Sequence, residues 1–101
     1  MLNQMVLVGR LVKDVELQEL EDGKKFCSIT LAVPRSFKNE NGEYDTDFIP
    51  CILWNNIAEN TKEFCNKGDL IGIKGRIQKE SNKPIEIIAE KVTFLSSNRN
   101  S

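Results

Sequence analysis

The sequence contains no histidine. That removes the side chain most used for proton transfer near neutral pH, and with it the commonest nitrogen ligand of zinc. Cys27, Cys51 and Cys65 are odd in number, widely spaced and include no C-x-x-C pair, so neither a metal ribbon nor a disulfide framework is expected. They read as reduced cysteines acting as small hydrophobes. There is no glycine loop ending in Lys-Ser/Thr to cradle a phosphate and no G-x-S-x-G elbow, so no enzyme class and no cofactor is indicated. No apolar run approaches the roughly 18 residues of a membrane span. Met1-Leu2-Asn3-Gln4 lacks the basic start and apolar stretch of a secretory signal, which leaves a cytoplasmic chain with no membrane partner as the expectation.

A surplus of positive charge is also missing. The formal net charge is −1, with 29% charged residues and 40% hydrophobic ones, the balance of an ordinary globular domain. A nucleic-acid ligand would therefore require charges separated in space. Some separation is visible: Glu40, Glu43, Asp45 and Asp47 crowd one stretch without a base, whereas Lys74, Arg76 and Lys79 crowd another without an acid. A chain of 101 residues makes one domain. It buries about 60–68% of its unfolded surface, and self-association would bury more.

Period-two apolar patterns predict strands over residues 3–12, 25–33, 44–54, 69–79 and 85–95. The first is apolar on both faces, which predicts burial on two sides, and Gly9 within it predicts a bulge or sharp bend. Residues 14–20 alternate imperfectly and lead into an Asp22-Gly23 hairpin turn. Residues 34–43 read as a polar loop, and Pro50 marks an edge or bulge. One helix is expected over residues 56–67, with Asn56 and Glu59 as a capping box, Ile57, Thr61, Phe64 and Cys65 facing inward, and Gly68 as a left-handed stop. Three strands, a helix and two further strands give the order of a five-stranded, partly open Greek-key barrel: an all-β fold with the helix between strands 3 and 4. Residues 1–96 form this domain and residues 97–101 a short polar end.

The candidate functional residues are aromatic and cationic. Phe48 and Trp54 lie six apart on one strand and share a face. Ile49, Cys51 and Leu53 oppose them, so the aromatics look outward if those three are core; Ile52 on the aromatic face supports the reverse. Phe37 lies between Arg35 and Lys38, a setting suited to stacking on a base with phosphates alongside. Lys74 and Arg76 oppose Ile71, Ile73 and Ile77, either as a solvated strand face or as a phosphate-tracking stripe. Arg10 shares a face with Val6 and Val8 and is a further phosphate candidate, or a partner for an acid.

Several of these segments, in order, resemble bacterial and phage single-stranded-DNA-binding proteins. Asn3 to Leu11 is similar to the family's opening strand. Thr30-Leu31-Ala32-Val33 followed by Arg35-Ser36-Phe37 is similar to its second strand and aromatic loop. Asp47-Phe48-Ile49 to Trp54, Ala58-Glu59-Asn60, Lys67-Gly68, Gly75 to Gln78, and Ala89-Glu90 to Phe94-Leu95 resemble the remaining elements, so the likeness runs to about residue 96. The resemblance implies an oligonucleotide-binding (OB) barrel that binds and protects single-stranded DNA with little sequence preference in replication, recombination or repair. It also implies a nucleoid-associated homotetramer, or a dimer, in which first strands pair between subunits. Phe37, Phe48 and Trp54 fall where the family stacks bases. Two departures carry consequences. The turn over 79–84 is shorter than the family's hairpin, which predicts a missing DNA contact. The segment after residue 96 has no Gly/Pro/Gln-rich stretch or acidic tip, so tail-mediated recruitment of partners is not expected from this chain. Those departures motivate a second reading, an OB-fold replication-restart or assembly subunit that binds mainly protein.

Overall fold

Alternation of apolar and polar residues produces β1 (Met5–Leu11), β2 (Gln18–Glu19), β3 (Lys25–Lys38), β4 (Tyr44–Trp54), β5 (Leu70–Gln78) and β6 (Glu86–Ser96), with α1 (Asn55–Phe64) between β4 and β5. The computed structural model describes residues 1–97. From Asn98 on, the polar end expected over 97–101 lies outside the described residues.

The strands form one sheet in the order β1-β5-β6-β4-β3-β2, and β1 also pairs with β3, so the five main strands close on themselves. All pairings are antiparallel except β4 with β6, which meet in parallel at the single register pair Ile52–Ile88. That narrow parallel seam is where the barrel is least continuous. β2 is a two-residue flap on the start of β3, carried by the expected hairpin, in which Gly23 has φ +88° and the Leu20 N–H donates to the Lys24 carbonyl at 2.7 Å.

The inward residues of β3 (Cys27, Ile29, Leu31), β4 (Cys51, Leu53) and β5 (Ile71, Ile73) interdigitate with Leu11, Val15, Ala58, Cys65 and Ala89. Cys27 and Cys51 are fully buried, and burial pushes both thiols up to about 11, so they stay protonated near neutral pH. Two glycines permit closure. A Cβ on Gly9 would lie 2.6 Å from the Ala32 carbonyl oxygen, and one on Gly75 would lie 2.3 Å from that of Ile88. Gly9 sits where β1, paired with β5, first meets β3, and the β1–β5 register runs through it without a shift, so the bulge considered there does not form. Gly75 sits where the β5–β6 register shifts.

Four expectations are corrected. Residues 34–38 are strand, not loop, because cross-strand contacts extend the β3–β4 hairpin beyond the barrel as an arm. Only Asn39–Glu43 turns, with the Asn39 Oδ1 accepting from the Asn41 and Glu43 N–H groups and Gly42 at φ +79°. The helix starts at Asn55 and ends at Phe64, and no side chain caps it. Asn55, at φ 51°, instead accepts from the Lys25 N–H, while Glu59 pairs with the Lys25 ammonium at 3.1 Å; both tie α1 to β3 in place of a capping box at Asn56. The inward stripe is Ile57, Ala58, Thr61 and Cys65, as expected except that Ala58 joins it and Phe64 stands 62% exposed. Gly68 is left-handed as expected, at φ +89°, but in the turn after the helix, where its N–H donates to the Leu11 carbonyl. The outer face of β1 also differs: Val6 and Val8 are exposed in the single chain, because nothing among the described residues covers them.

Candidate nucleic-acid interface

The facing of β4 is resolved by burial. Cys51 and Leu53 point into the core, so Phe48, Pro50, Ile52 and Trp54 form the outer face. Phe48 is 64% exposed. Trp54 is partly buried because its ring rests on Phe26, its register partner on β3. Between these two rows, β3 offers only small residues: Ser28 opposite Ile52, Thr30 opposite Pro50 and Ala32 opposite Phe48. The result is an aromatic ridge along β4 beside a shallow trough along β3. Pro50 is paired on its β3 side, while β6 reaches β4 only at Ile52, so its missing N–H falls on an open edge.

The cations are distributed around this ridge. Arg10 pairs with Ala32 on the side opposite Phe48, so Phe48, Ala32 and Arg10 form one row across β4, β3 and β1. Two strand spacings separate the ring from the guanidinium strand, about 10 Å. Arg10 donates to the Gly68 carbonyl at 3.0 Å, a carbonyl rather than the acid considered as its partner. A second row runs Ser28, Ile52, Ile88, Arg76, which links the aromatic face to β5 across Ile88, itself buried. Arg76 donates to the Gln78 side chain at 2.7 Å and lies 3.8 Å from Glu90. Lys74 is exposed between Val6 and Lys91, its register partners, so two lysines stand side by side on β5 and β6.

The arm carries the remaining candidates. Arg35, Ser36 and Phe37 together stand opposite Asp45 alone, since Pro34 pairs with Thr46 and Lys38 with Tyr44. Phe37 is 64% exposed on this bulge. Arg35 grips Asp47 with two hydrogen bonds of 3.0 and 3.2 Å and lies 3.8 Å from Asp45. Asp45 and Asp47 occupy alternate β4 positions out of phase with Tyr44, Thr46 and Phe48, which puts this ion cluster on the reverse of the aromatic face. The hydrogen bond from Arg35 holds the Asp47 carboxyl below its ordinary range. The pairing is thus present above the usual carboxylate pKa and is lost only as pH falls through the lowered one, so it persists across the neutral range. Lys38 sits directly opposite Tyr44 with its ammonium 5.9 Å from the ring centroid.

Two aromatics escaped the sequence reading. Tyr44 is in phase with Phe48 and Trp54 and was findable by counting back in twos along the strand. Phe26 depends on the cross-strand register, which alternation within one strand does not reveal.

The sequence pattern of the single-strand binding protein family matches residues 2–95. The chain is 44% identical over 103 residues to single-stranded DNA-binding protein B of Bacillus subtilis, covering 94% of this chain and 91% of that one. It is also 44% identical over 108 residues to single-stranded DNA-binding protein 3 of Listeria innocua, covering 99% and 68%. Among solved structures, a deletion mutant of the single-stranded DNA binding protein from Thermus aquaticus superposes with a TM-score of 0.77 at 24% identity. That match covers 96% of this chain, which spans about half (52%) of the solved one, and it establishes the OB fold. Matched along almost its whole described length, the chain belongs to the single-strand binding protein family.

Proposed function

We propose that residues 1–96 form an OB domain that binds and protects single-stranded DNA with little sequence preference during replication, recombination or repair. Bases stack on Phe48 and Trp54, with Phe37 at the bulge of the arm, and phosphates pair with Arg10, Lys38, Lys74 and Arg76. Arg35, also expected among the phosphate contacts, is committed to Asp47 and Asp45, and we assign it to holding the arm. Stacking tolerates any base because every base has a π-face, and phosphate contacts carry no sequence information.

One observation carries this reading: exposed Phe48, the small Ala32 and cationic Arg10 share a row, which is the pairing of stacking surface and positive charge that a single strand requires. The likeness to proteins named for this activity supports it. The working form is a homotetramer, or a dimer, in the cytoplasm at the nucleoid; no helix among the described residues is long and apolar enough to cross a membrane.

The test uses Trp54, the one tryptophan in the sequence. Titration with oligo(dT) is expected to quench its fluorescence saturably, with similar affinity for mixed-sequence strands and much weaker binding to duplex. Absence of both quenching and a mobility shift overturns the reading.

A further inference from the structure

The β3–β4 arm carries a chemistry that the expected stacking positions do not include. On β4 the outward positions run Tyr44, Thr46, Phe48, Pro50, Ile52, Trp54, so three aromatics lie on one face of one strand. At the strand rise, Trp54 and Phe48 are about 20 Å apart and Phe48 and Tyr44 about 13 Å. Tyr44 is 56% exposed and lies where the hairpin has left the barrel, so its ring packs against no part of the core. A core role does not account for it, and the row between it and Phe48 holds only Pro34 and Thr46. Directly across the ladder is Lys38, with its ammonium 5.9 Å from the ring centroid.

We infer that Tyr44 and Lys38 form a further single-stranded-DNA subsite at the tip of the arm, one base stacking on the Tyr44 ring while the adjoining phosphate meets the Lys38 ammonium. The inference rests on the proposed DNA-binding reading and extends its track beyond Phe48. The reverse of the arm supports it. Of the carboxylates around Tyr44, Asp45 and Asp47 are drawn to Arg35 on the opposite face, where they brace the arm and do not confront a phosphate passing over the ring, while Glu40 and Glu43 lie exposed in the turn. The turn contributes bracing of its own, as the Asn39 amide donates to Asp45 at 3.1 Å. A stacking ring with a cation beside it, on a braced ribbon in line with two other rings, is the arrangement a sequence-tolerant single strand occupies.

The experiment compares wild type, Tyr44→Ala, Tyr44→Phe, Lys38→Gln and Trp54→Ala in titrations with oligo(dT) of about 16 nucleotides, the upper end of a single OB-fold site. Tyr44→Ala is expected to weaken binding by about five-fold or more with an unchanged melting temperature, and Tyr44→Phe to restore it, since the π-face returns without the hydroxyl. Lys38→Gln is expected to reduce the log–log salt slope by about 0.7. Photocrosslinking of an iodouracil-substituted strand is expected to label the peptide containing Tyr44. Normal binding by Tyr44→Ala and no label there, while Trp54→Ala binds weakly, overturns the subsite and leaves the DNA-binding reading standing. Failure of the wild type to bind oligo(dT) overturns that reading and the subsite with it.

Discussion

Phe26 and Trp54 face each other across the β3–β4 ladder, their ring centroids 5.3 Å apart and their planes inclined by 37°. The contact explains why Trp54, on the outer face of the barrel, is nevertheless partly buried. One face of the indole rests on a phenyl ring, and the rest of it is free to meet a base. Phe26 is thereby placed to position the indole at the end of the ridge.

Trp54→Ala is accordingly expected to have two effects of different size. Loss of the ring pair should cost roughly 1 kcal/mol of folding stability, the range for one aromatic contact. Loss of the base stack should cost about 1–3 kcal/mol of oligonucleotide affinity. Trp54→Phe should lose less affinity, and Phe26→Ala should weaken binding through the indole that Phe26 packs against on the neighbouring strand. Thermal melting and dT titration on the same variants separate the effects. A stability loss of about 3–5 kcal/mol, typical of a truncated core aromatic, combined with normal affinity below the melt would mean that Trp54 serves the fold alone.

Salt dependence should distinguish the arginines. Each phosphate contact on a single strand contributes about −0.7 to the slope of log affinity against log salt. Arg10→Gln and Lys74→Gln should each flatten the slope by about that amount. Arg35→Gln should leave the slope nearly unchanged, because Arg35 is held by Asp47 on the reverse of the arm. A slope that Arg35→Gln lowers as much as Arg10→Gln does would return Arg35 to the phosphate track. A wild-type affinity that does not change from about 50 to about 300 mM salt would remove phosphate pairing from the mechanism.

These distinctions show what local pattern carries. The inward sets on β3, β4 and β5 were legible because a strand with one buried face must alternate, and Cys27, Ile29 and Leu31 do so without exception. The exposure of Phe48 followed from the same alternation once Cys51 and Leu53 were seen to be core. The arm was not legible, because its strand character comes from pairs formed across the ladder, Arg35 with Asp47 and Lys38 opposite Tyr44, in a stretch whose composition reads as turn. The Asn39 side chain makes a local turn that the sequence does announce, but only for five residues of the ten assigned to it. At the helix start, a capping signal at Asn56 lost to the neighbouring Asn55, whose bond to the β3 backbone is a tertiary contact with no trace in local spacing.

Substitution of glycines on β5 should give opposite outcomes at neighbouring outward and inward positions. In Gly75→Ala the new methyl would lie 2.3 Å from the Ile88 carbonyl oxygen, so backbone at the β5–β6 bulge must move. The expected loss is about 1–3 kcal/mol, or failure to fold. In Gly72→Ala the nearest atoms are side-chain methyls of Leu95 and Val8 at 3.7 and 3.8 Å, an ordinary contact. Melting temperatures close to wild type for Gly72→Ala and sharply lower for Gly75→Ala are expected. Equal melting temperatures would mean that β5 and β6 approach less closely than the register indicates.

Self-association is expected to use the outer face of β1. Val6 is 65% exposed and Val8 47%, and Val8 and Leu95 flank Gly72 from either side, giving an apolar patch over β1, β5 and β6 that Lys74 borders beside Val6. Each buried valine side chain contributes about 1.5–3 kcal/mol, and a symmetric contact buries the patch twice. Each copy carries a net charge of −1, so long-range attraction does not drive assembly and the contact must be apolar. Light scattering at micromolar concentration should therefore give a multiple of 11.5 kDa, with four copies expected. The Val6→Glu, Val8→Glu double variant places charges on the patch without touching the core. It should retain its barrel, lower the measured mass and weaken binding to long strands more than to short ones, since fewer sites would be joined. A wild-type mass of 11.5 kDa would defeat self-association altogether. An unchanged oligomer in the double variant would move the interface off β1, and the groove of about 340 Å³ between α1 and β6, lined by Ile57, Phe64 and Phe94, would be the next surface to charge.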